Sequence, residues 1–280
     1  MAIAPTAATG RLAEKWARDL ASWAIPDDIL AAAAESPWTL PVGVFAKSAE
    51  TDLAADPGTP SLRRALEPLA RPRLSKAHGE RTVLDVGAGA GAASLPLVPP
   101  ATRVIAVDEN EHMLEALHDL AGSRQIEVDT VLGRWPDVAE AVPRAEVVVC
   151  HHVLYNVADL VPFVLALDGH ARSRVVVEIT TPHPLSYLND LWRQIHGLER
   201  PNHPTAGDAV EIIRSLGADA HAEHFSRPSR WSEEDRATRI VLARRSLCAR
   251  PEHDEVINRM LGEEDRGLVT IWWDTGGGDR

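Results

Sequence analysis

Residues 83–91 have the sequence Val83-Leu84-Asp85-Val86-Gly87-Ala88-Gly89-Ala90-Gly91. This is a short apolar run that leads into a turn with glycine at every second position. Glycine tolerates positive φ and lets the backbone approach a ligand closely. We expect a helix to begin behind the turn and to point its free N–H groups at whatever binds there. A strand, a glycine turn and a helix in this order favour a nucleotide-binding site.

The acidic residue Asp108 forms the second part of this pattern. It stands at the end of the next apolar run, about 20 residues beyond the glycines. A carboxylate in that position can accept two hydrogen bonds from a ribose diol. The alternative is that Asp108 caps a helix that starts at Asn110. We favour the ribose role because both the spacing and the strand context fit it.

Apolar runs alternate with helical patterns from residue 82 onward. The predicted strands cover residues 82–86, 103–107, 126–132, 146–150, 174–179, 220–225 and 268–273. The predicted helices between them cover residues 111–120, 156–167, 185–195 and 209–216. Continuous apolar strands that alternate with helices are typical of a parallel sheet covered on both faces. The sequence therefore predicts a doubly wound α/β domain.

Two regions lie outside this alternation. Residues 1–75 have helical patterns and no strand pattern, so we assign them to a helical appendage or cap, and residues 76–280 to the α/β domain. Residues 231–261 predict one or two helices before the last strand, with Ser232 as the N-cap. The expected architecture is thus an α/β sheet with an N-terminal helical appendage and helical inserts.

Composition and charge limit the partners and the location of the protein. The chain has 280 residues and a formal net charge of -12 at pH 7. An acidic surface repels phosphate backbones, so nucleic acid is a disfavoured partner. No apolar stretch is long enough to cross a membrane, and the N-terminal residues are too charged for a signal peptide. Two cysteines do not form a disulfide framework. We therefore expect a cytoplasmic protein without a membrane partner.

Two cofactors are compatible with the glycine turn. The spacing Gly87-x-Gly89-x-x-Ala92 also satisfies the relaxed dinucleotide fingerprint. Asp85, two residues before Gly87, favours S-adenosylmethionine, because its carboxylate lies where a positively charged amino group could be held. A dinucleotide would place a pyrophosphate dianion beside the same carboxylate, which would repel it.

The segment from Arg81 to Asp108 resembles the class I S-adenosylmethionine-dependent methyltransferases. The residues that match the Asp/Glu-x-Gly-x-Gly-x-Gly motif of that family are Asp85, Gly87, Gly89 and Gly91. Asp108 matches the family's ribose-binding acid. The resemblance covers roughly residues 76–280 and implies S-adenosylmethionine as cofactor. It also implies a seven-stranded sheet whose last strand is antiparallel and inserted beside the fifth. The long helical insert before that strand departs from many family members.

The resemblance also suggests a contact with adenine after the third strand. Gly133-Arg134-Trp135 follows that strand, where family members contact the base. Trp135 could then stack on the adenine ring, and Arg134 could reach its edge. The alternative is an ordinary turn with a packed tryptophan, and the sequence leaves both open.

Residues after the fourth predicted strand are the candidates for catalysis. His151 and His152 emerge at the carboxyl end of a parallel strand, where α/β sheets bind ligands. Histidine suits the removal of a proton from an oxygen or nitrogen acceptor. Strand alternation allows only one of the two to face the pocket, and the other would pack or cap the next helix. Tyr155 lies nearby at the start of that helix.

The sequence thus predicts an S-adenosylmethionine-dependent methyltransferase that acts on a small-molecule acceptor by in-line transfer. No ligand spacing supports a metal. Three alternatives stay open: an NAD(P)-dependent oxidoreductase, a non-catalytic S-adenosylmethionine-binding regulatory protein, and a methyltransferase with an RNA or protein acceptor. The oligomeric state is also open, with a homodimer among the options.

Overall fold

Seven strands form one mixed sheet at the centre of the computed structural model, which describes residues 3–37, 50, 58–71, 80–228, 234–262 and 265–276. The strands are β1 (Thr82–Val86), β2 (Arg103–Asp108), β3 (Val128–Leu132), β4 (Ala145–His151), β5 (Ala171–Thr180), β6 (His221–Arg227) and β7 (Arg266–Asp274). Their spatial order is β3-β2-β1-β4-β5-β7-β6. Strands β1 to β5 pair in parallel, and β7 runs antiparallel to both β5 and β6. This confirms the predicted sheet, including the antiparallel last strand beside the fifth.

The central strands are apolar on both faces because both faces are covered. Every residue of β1 is buried, and β4 and β5 are buried along most of their lengths. The edge strands β3 and β6 instead place exposed residues along their length. A strand buried on both faces is read in sequence as a continuous apolar run, which is why the central strands could be predicted.

The described helices pack on the faces of this sheet or against one another. They are α1 (Ala7–Ala21), α2 (Asp27–Ala32), α3 (Pro60–Leu69), α4 (Glu111–Ser123), α5 (Leu160–His170), α6 (Asn189–His196), α7 (Ala206–Ser215), α8 (Arg236–Ser246) and α9 (Asp254–Met260). None of these described helices has the length and apolar character needed to cross a membrane. The helices predicted at residues 111–120, 156–167, 185–195 and 209–216 are confirmed, with boundaries shifted by a few residues.

The helix predicted directly behind the glycine turn is wrong. After β1 the chain forms a series of turns and a 3₁₀ helix, Leu95–Leu97, before it enters β2. The reason lies in three prolines, Pro96, Pro99 and Pro100, which provide no N–H and clash with a preceding helical turn. Glycines and alanines alone do not nucleate a helix over so short a distance.

Two described helices of the N-terminal region, α1 and α3, pack against the α/β part of the chain. Helix α1 lies against α7 and α5. Its Trp16 is fully buried in the main core, and the indole nitrogen donates to the carbonyl oxygen of Val157 at 2.8 Å. Helix α3 covers the opposite face, where Ala65 and Leu69 pack against residues of β1, β4 and β5. A domain boundary between residues 75 and 76 stays a prediction.

A second, smaller core lies among α2, α6, α8 and α9. Its buried residues include Ile25, Leu191, Trp192, Leu247 and Ile257. The predicted helical insert before β7 thus forms this core together with α2 and with α6, which follows β5. The expected N-cap Ser232 lies outside the described residues. Helix α8 is instead capped by Asp235, which accepts a hydrogen bond from the Thr238 backbone N–H at 2.8 Å.

Candidate cofactor and methyl-transfer site

The glycine turn is held by the strand next to it. The backbone N–H groups of Gly87 and Ala88 both donate to the carbonyl oxygen of Val107, at 2.8 and 3.0 Å. All three motif glycines have positive φ, with 70° at Gly87, 51° at Gly89 and 89° at Gly91. A Cβ on Gly89 would have no heavy atom within 4 Å. The backbone at Gly89 therefore borders open space that a ligand can approach.

Asp85 is a buried carboxylate without a well-formed hydrogen bond. Its exposed fraction is 0%, and neither of its oxygens has a hydrogen-bond partner among the described residues. Burial raises the pKa of Asp85 to about 7, the Ser94 hydroxyl opposes this shift, and the negative charge of Asp108 adds to it. A buried acid of this kind is costly unless a cation compensates it. Its position beside the glycine turn fits a cofactor that carries an amino group.

Asp108 closes the turn from the next strand. One carboxylate oxygen accepts from the Gly89 backbone N–H at 2.8 Å, and the other accepts from the Asn110 N–H at 2.9 Å. The N-cap of α4 is Asn110 and not Asp108, which supports the start of this helix only through the Asn110 N–H. A carboxylate oxygen has a second lone pair, so these bonds leave acceptor capacity for a diol. The ribose role of Asp108 stays a prediction that the geometry permits.

The side chains of Arg134 and Trp135, in the turn after β3, differ in their exposure to solvent. Arg134 is exposed, whereas Trp135 is only 6% exposed and belongs to the main core. The Trp135 indole nitrogen donates to the Phe163 carbonyl at 3.4 Å, and its ring meets His170 edge-on at 4.8 Å. This packing favours the packed-tryptophan alternative. The adenine contacts of both residues stay predictions.

His152 is brought next to the glycine turn. The residue after it, Val153, lies so close to Gly87 that a Cβ there would be 2.3 Å from the Val153 Cγ2. His152 itself has a left-handed backbone with φ of 61°, an uncommon state for a residue with a side chain. Such strain is often found at functional sites.

Glu178 is not among the candidates from the sequence, yet its carboxylate lies against His152. The His152 backbone N–H donates to the Glu178 carbonyl at 2.7 Å. The His152 Nε2 lies 3.3 Å from the Glu178 Oε1. Burial acts to raise the pKa of Glu178, but His152, His151 and Ser61 together hold that pKa well below its usual range. The one sequence signal was a single glutamate inside the apolar run Val175-Val176-Val177-Glu178-Ile179.

His151 and Tyr155 occupy other surroundings. His151 is paired in register with Glu178 and contributes to lowering its pKa. Tyr155 is buried, and its hydroxyl donates to the Thr180 carbonyl at 2.9 Å. Burial raises the pKa of the Tyr155 phenol. Tyr155 is thereby committed to packing, so His152 is the candidate base with the most suitable surroundings.

One group among the described residues could supply three metal ligands: Asp19, His203 and Asp208. The Lys15 ammonium lies between the two carboxylates, 2.6 Å from Asp19 and 2.9 Å from Asp208. This lysine already supplies the positive charge that a metal would bring. The group therefore offers no argument for a metal in the reaction.

Comparison with known proteins found similarity to methyltransferases. Residues 83–167 match the family model described as a methyltransferase domain. No curated protein matches the sequence. Among solved structures, a candidate sarcosine dimethylglycine methyltransferase from Galdieria sulphuraria is 13% identical, with 81% of this chain and 86% of that chain covered and a TM-score of 0.51.

A second solved structure is the magnesium protoporphyrin IX methyltransferase from Synechocystis PCC 6803 with bound S-adenosylhomocysteine. It is 15% identical, with 82% of this chain and 83% of that chain covered and a TM-score of 0.47. At such low identities, structural similarity speaks for the fold alone. The family match contains the acidic glycine motif, Asp108 and the histidine pair of β4. Residues 83–167 are thus similar to a methyltransferase domain, and the strand order is that of an α/β, Rossmann-like fold.

Proposed function

We propose that this protein transfers the S-methyl group of S-adenosylmethionine to a small-molecule acceptor, with His152 as the base. The observation that carries the proposal is the buried, unpaired Asp85 beside the glycine turn. A cofactor with an amino group compensates this charge, whereas the pyrophosphate of a dinucleotide does not. The turn also lacks the following α-helix whose N-terminus binds pyrophosphate in dinucleotide sites.

In this proposal each residue of the site has its own role in binding or in chemistry. Asp85 holds the amino group, Gly89 lets the backbone approach the cofactor, and Asp108 accepts from the ribose. The bound cofactor supplies an electrophilic methyl group on a sulfonium. His152 removes the proton of an acceptor hydroxyl or amine as the new bond forms. Correct orientation of the acceptor provides the remaining acceleration.

A small-molecule acceptor is supported by the charge of the chain. The formal net charge of -12 makes the averaged surface unfavourable for a nucleic acid backbone. The residues around Asp85, His152 and Glu178 lie at the carboxyl edge of the sheet, the usual ligand-binding edge of an open α/β fold. Cytoplasmic location and oligomeric state stay predictions of the sequence.

The test is methyl transfer from isotope-labelled S-adenosylmethionine to a panel of small hydroxylated and amine acceptors. We expect His152→Gln to bind S-adenosylhomocysteine normally and to lose transfer by about 10²–10⁴-fold, the usual contribution of a general base. We expect Asp108→Ala to lose binding itself. Equal transfer by wild type and His152→Gln would exclude His152 as the base. Absence of S-adenosylhomocysteine binding would exclude the whole proposal.

A further inference from the structure

A carboxylate stands in β5 where the neighbouring strand positions are apolar. Glu178 is 3% exposed and is flanked in sequence by the fully buried Val177 and Ile179. A buried carboxylate is costly unless hydrogen bonds and positive charge compensate it. Its partners therefore indicate why the residue is in this position.

Two of those contacts join Glu178 to His152. The backbone of His152 donates to the Glu178 backbone at 2.7 Å, and the ring Nε2 approaches the Glu178 carboxylate at 3.3 Å. The first bond supports the left-handed backbone at His152, and the second fixes the direction of the ring. The His152 side chain is 29% exposed, compared with 4% for Glu178. One edge of the ring is thus held inside while part of the ring reaches solvent.

Other contacts hold Glu178 from the opposite side. Ser61, at the start of α3, has a fully buried hydroxyl that contributes to lowering the pKa of Glu178. This hydroxyl is 2.6 Å from the Thr270 hydroxyl on β7. Thr270 is paired in register with Glu178. Because the His152 ring and the Ser61 hydroxyl both act on the carboxylate, it can serve as a held acceptor for the histidine ring.

A carboxylate that is ionised and fixed determines the tautomer of its histidine partner. The carboxylate can only accept, so the Nε2 must carry the proton. The Nδ1 of the neutral ring then has a free lone pair. This is the arrangement that a histidine base requires, and a third group commonly enforces it.

We propose that Glu178 is a positioning residue that keeps His152 in the Nε2–H tautomer, with Nδ1 as the basic atom. The inference rests on the proposed function of His152. During transfer the acceptor O–H or N–H bond breaks, and its electron pair stays on the acceptor atom. That atom forms the bond to the methyl carbon, and the sulfur keeps the electrons of the broken S–C bond. The proton ends on Nδ1, and the Glu178 carboxylate stabilises the imidazolium.

The tautomer of His152 can be measured without acceptor or cofactor. Long-range ¹H–¹⁵N spectra of the full-length, ¹⁵N-histidine-labelled protein at pH 8 distinguish the two ring nitrogens, with His152→Gln for assignment. We expect wild type to show a protonated Nε2 and an unprotonated Nδ1. In Glu178→Leu the two shifts should converge toward those of exchanging tautomers. Glu178→Gln keeps an acceptor oxygen and should retain part of the wild-type difference.

The matched control is Glu223→Gln. Glu223 is paired in register with Thr270 in the same row of the sheet, but its carboxylate binds Arg63 and Arg64 of α3. We expect this change to leave the His152 shifts unaltered. A wild-type His152 protonated on Nδ1, or unchanged shifts in Glu178→Leu, would overturn the inference. Because the spectra need no turnover, such a result differs from failure of the methyl-transfer assay.

Discussion

At the scale of single residues, the site depends on charges placed where water cannot reach them. Among the described residues no positively charged group acts on Asp85, whereas the rings of His152 and His151 both act on Glu178. Burial therefore raises the pKa of Asp85. At Glu178 the two histidines outweigh burial, so the pKa of Glu178 is lowered. Asp85 can therefore bind a positively charged ligand, and Glu178 can orient the His152 ring. The difference lies in their partners and not in their residue type.

Asp85 makes stability depend on pH in a definite direction. Its pKa in the folded protein is about 7, above the usual 3.8 that applies to the unfolded chain. Between these values the folded state keeps a proton that the unfolded state loses, so stability falls as pH rises from about 4 to 7. The loss is roughly 4 kcal/mol at most, because a tenfold change in acidity corresponds to about 1.4 kcal/mol.

Asp85→Asn should therefore stabilise the free protein at pH 8 and leave its stability nearly unchanged at pH 4. It should also abolish the stabilisation that S-adenosylhomocysteine gives to wild type. Denaturant unfolding at both pH values, with and without this ligand, measures both effects. A variant that is less stable than wild type at pH 8 would show that Asp85 is already compensated in the free protein.

The sequence predicted the proximity of those candidate residues whose position follows from chain order. Asp85, the glycines and Asp108 lie in one strand, one turn and the end of the next strand, so spacing alone places them together. Glu178 could not be assigned, because its contact with His152 depends on the register between β4 and β5. The packing of Trp135 was equally open, since sequence does not say which side of a turn its ring enters.

At the scale of elements, α3 is attached to the sheet by polar contacts at both of its ends. Near its start Ser61 meets Thr270, and near its end Glu67 accepts from the Arg174 guanidinium at 2.5 Å. Arg174 also donates to Asp274 of β7 at 2.7 Å. The arginine is 5% exposed, so it joins α3, β5 and β7 from a largely dry position. These contacts keep Ser61 beside Glu178.

Arg174→Leu should destabilise the protein by about 2 kcal/mol, because hydrogen bonds to charged groups contribute about 1.5–3 kcal/mol each and the two acids regain water. The control is Arg193→Leu, since Arg193 forms a similar pair with Glu199 but is 57% exposed. An exposed pair contributes about 0–1 kcal/mol. Urea unfolding compares the two variants. Equal effects would show that the buried position of Arg174 adds nothing.

Strands were easier to predict than the connection between β1 and β2. Burial on both faces makes a strand such as β4 continuously apolar, and this pattern survives without knowledge of the neighbours. The connection was assigned a helix by analogy with nucleotide sites, but Pro96, Pro99 and Pro100 prevent one. The three prolines stand in the sequence itself, and their chemistry outweighs the preference of the glycine motif for a following helix.

At the scale of the whole molecule, the binding edge and the second core are built from different elements. The residues predicted to bind the cofactor, Asp85 and Asp108, belong to β1 and β2, and the candidate base His152 follows β4; all three strands are in the main sheet. The second core joins α2 with α6, α8 and α9. The N-terminal region contributes to both, since α1 and α3 pack on the sheet and α2 does not. This arrangement leaves the cofactor site dependent on the sheet and on α3.

We propose that the acidic glycine turn binds S-adenosylmethionine and not a dinucleotide. Calorimetric titration of the purified protein with S-adenosylhomocysteine, NAD and NADP tests it most directly. We expect the protein to bind only S-adenosylhomocysteine, with micromolar or tighter affinity, which corresponds to a binding free energy of about -8 kcal/mol or better. We expect Gly89→Ala to lose this binding, because the added methyl group would fill the open space at the turn. Binding of a dinucleotide, or no binding of S-adenosylhomocysteine, would contradict S-adenosylmethionine as the cofactor of this turn.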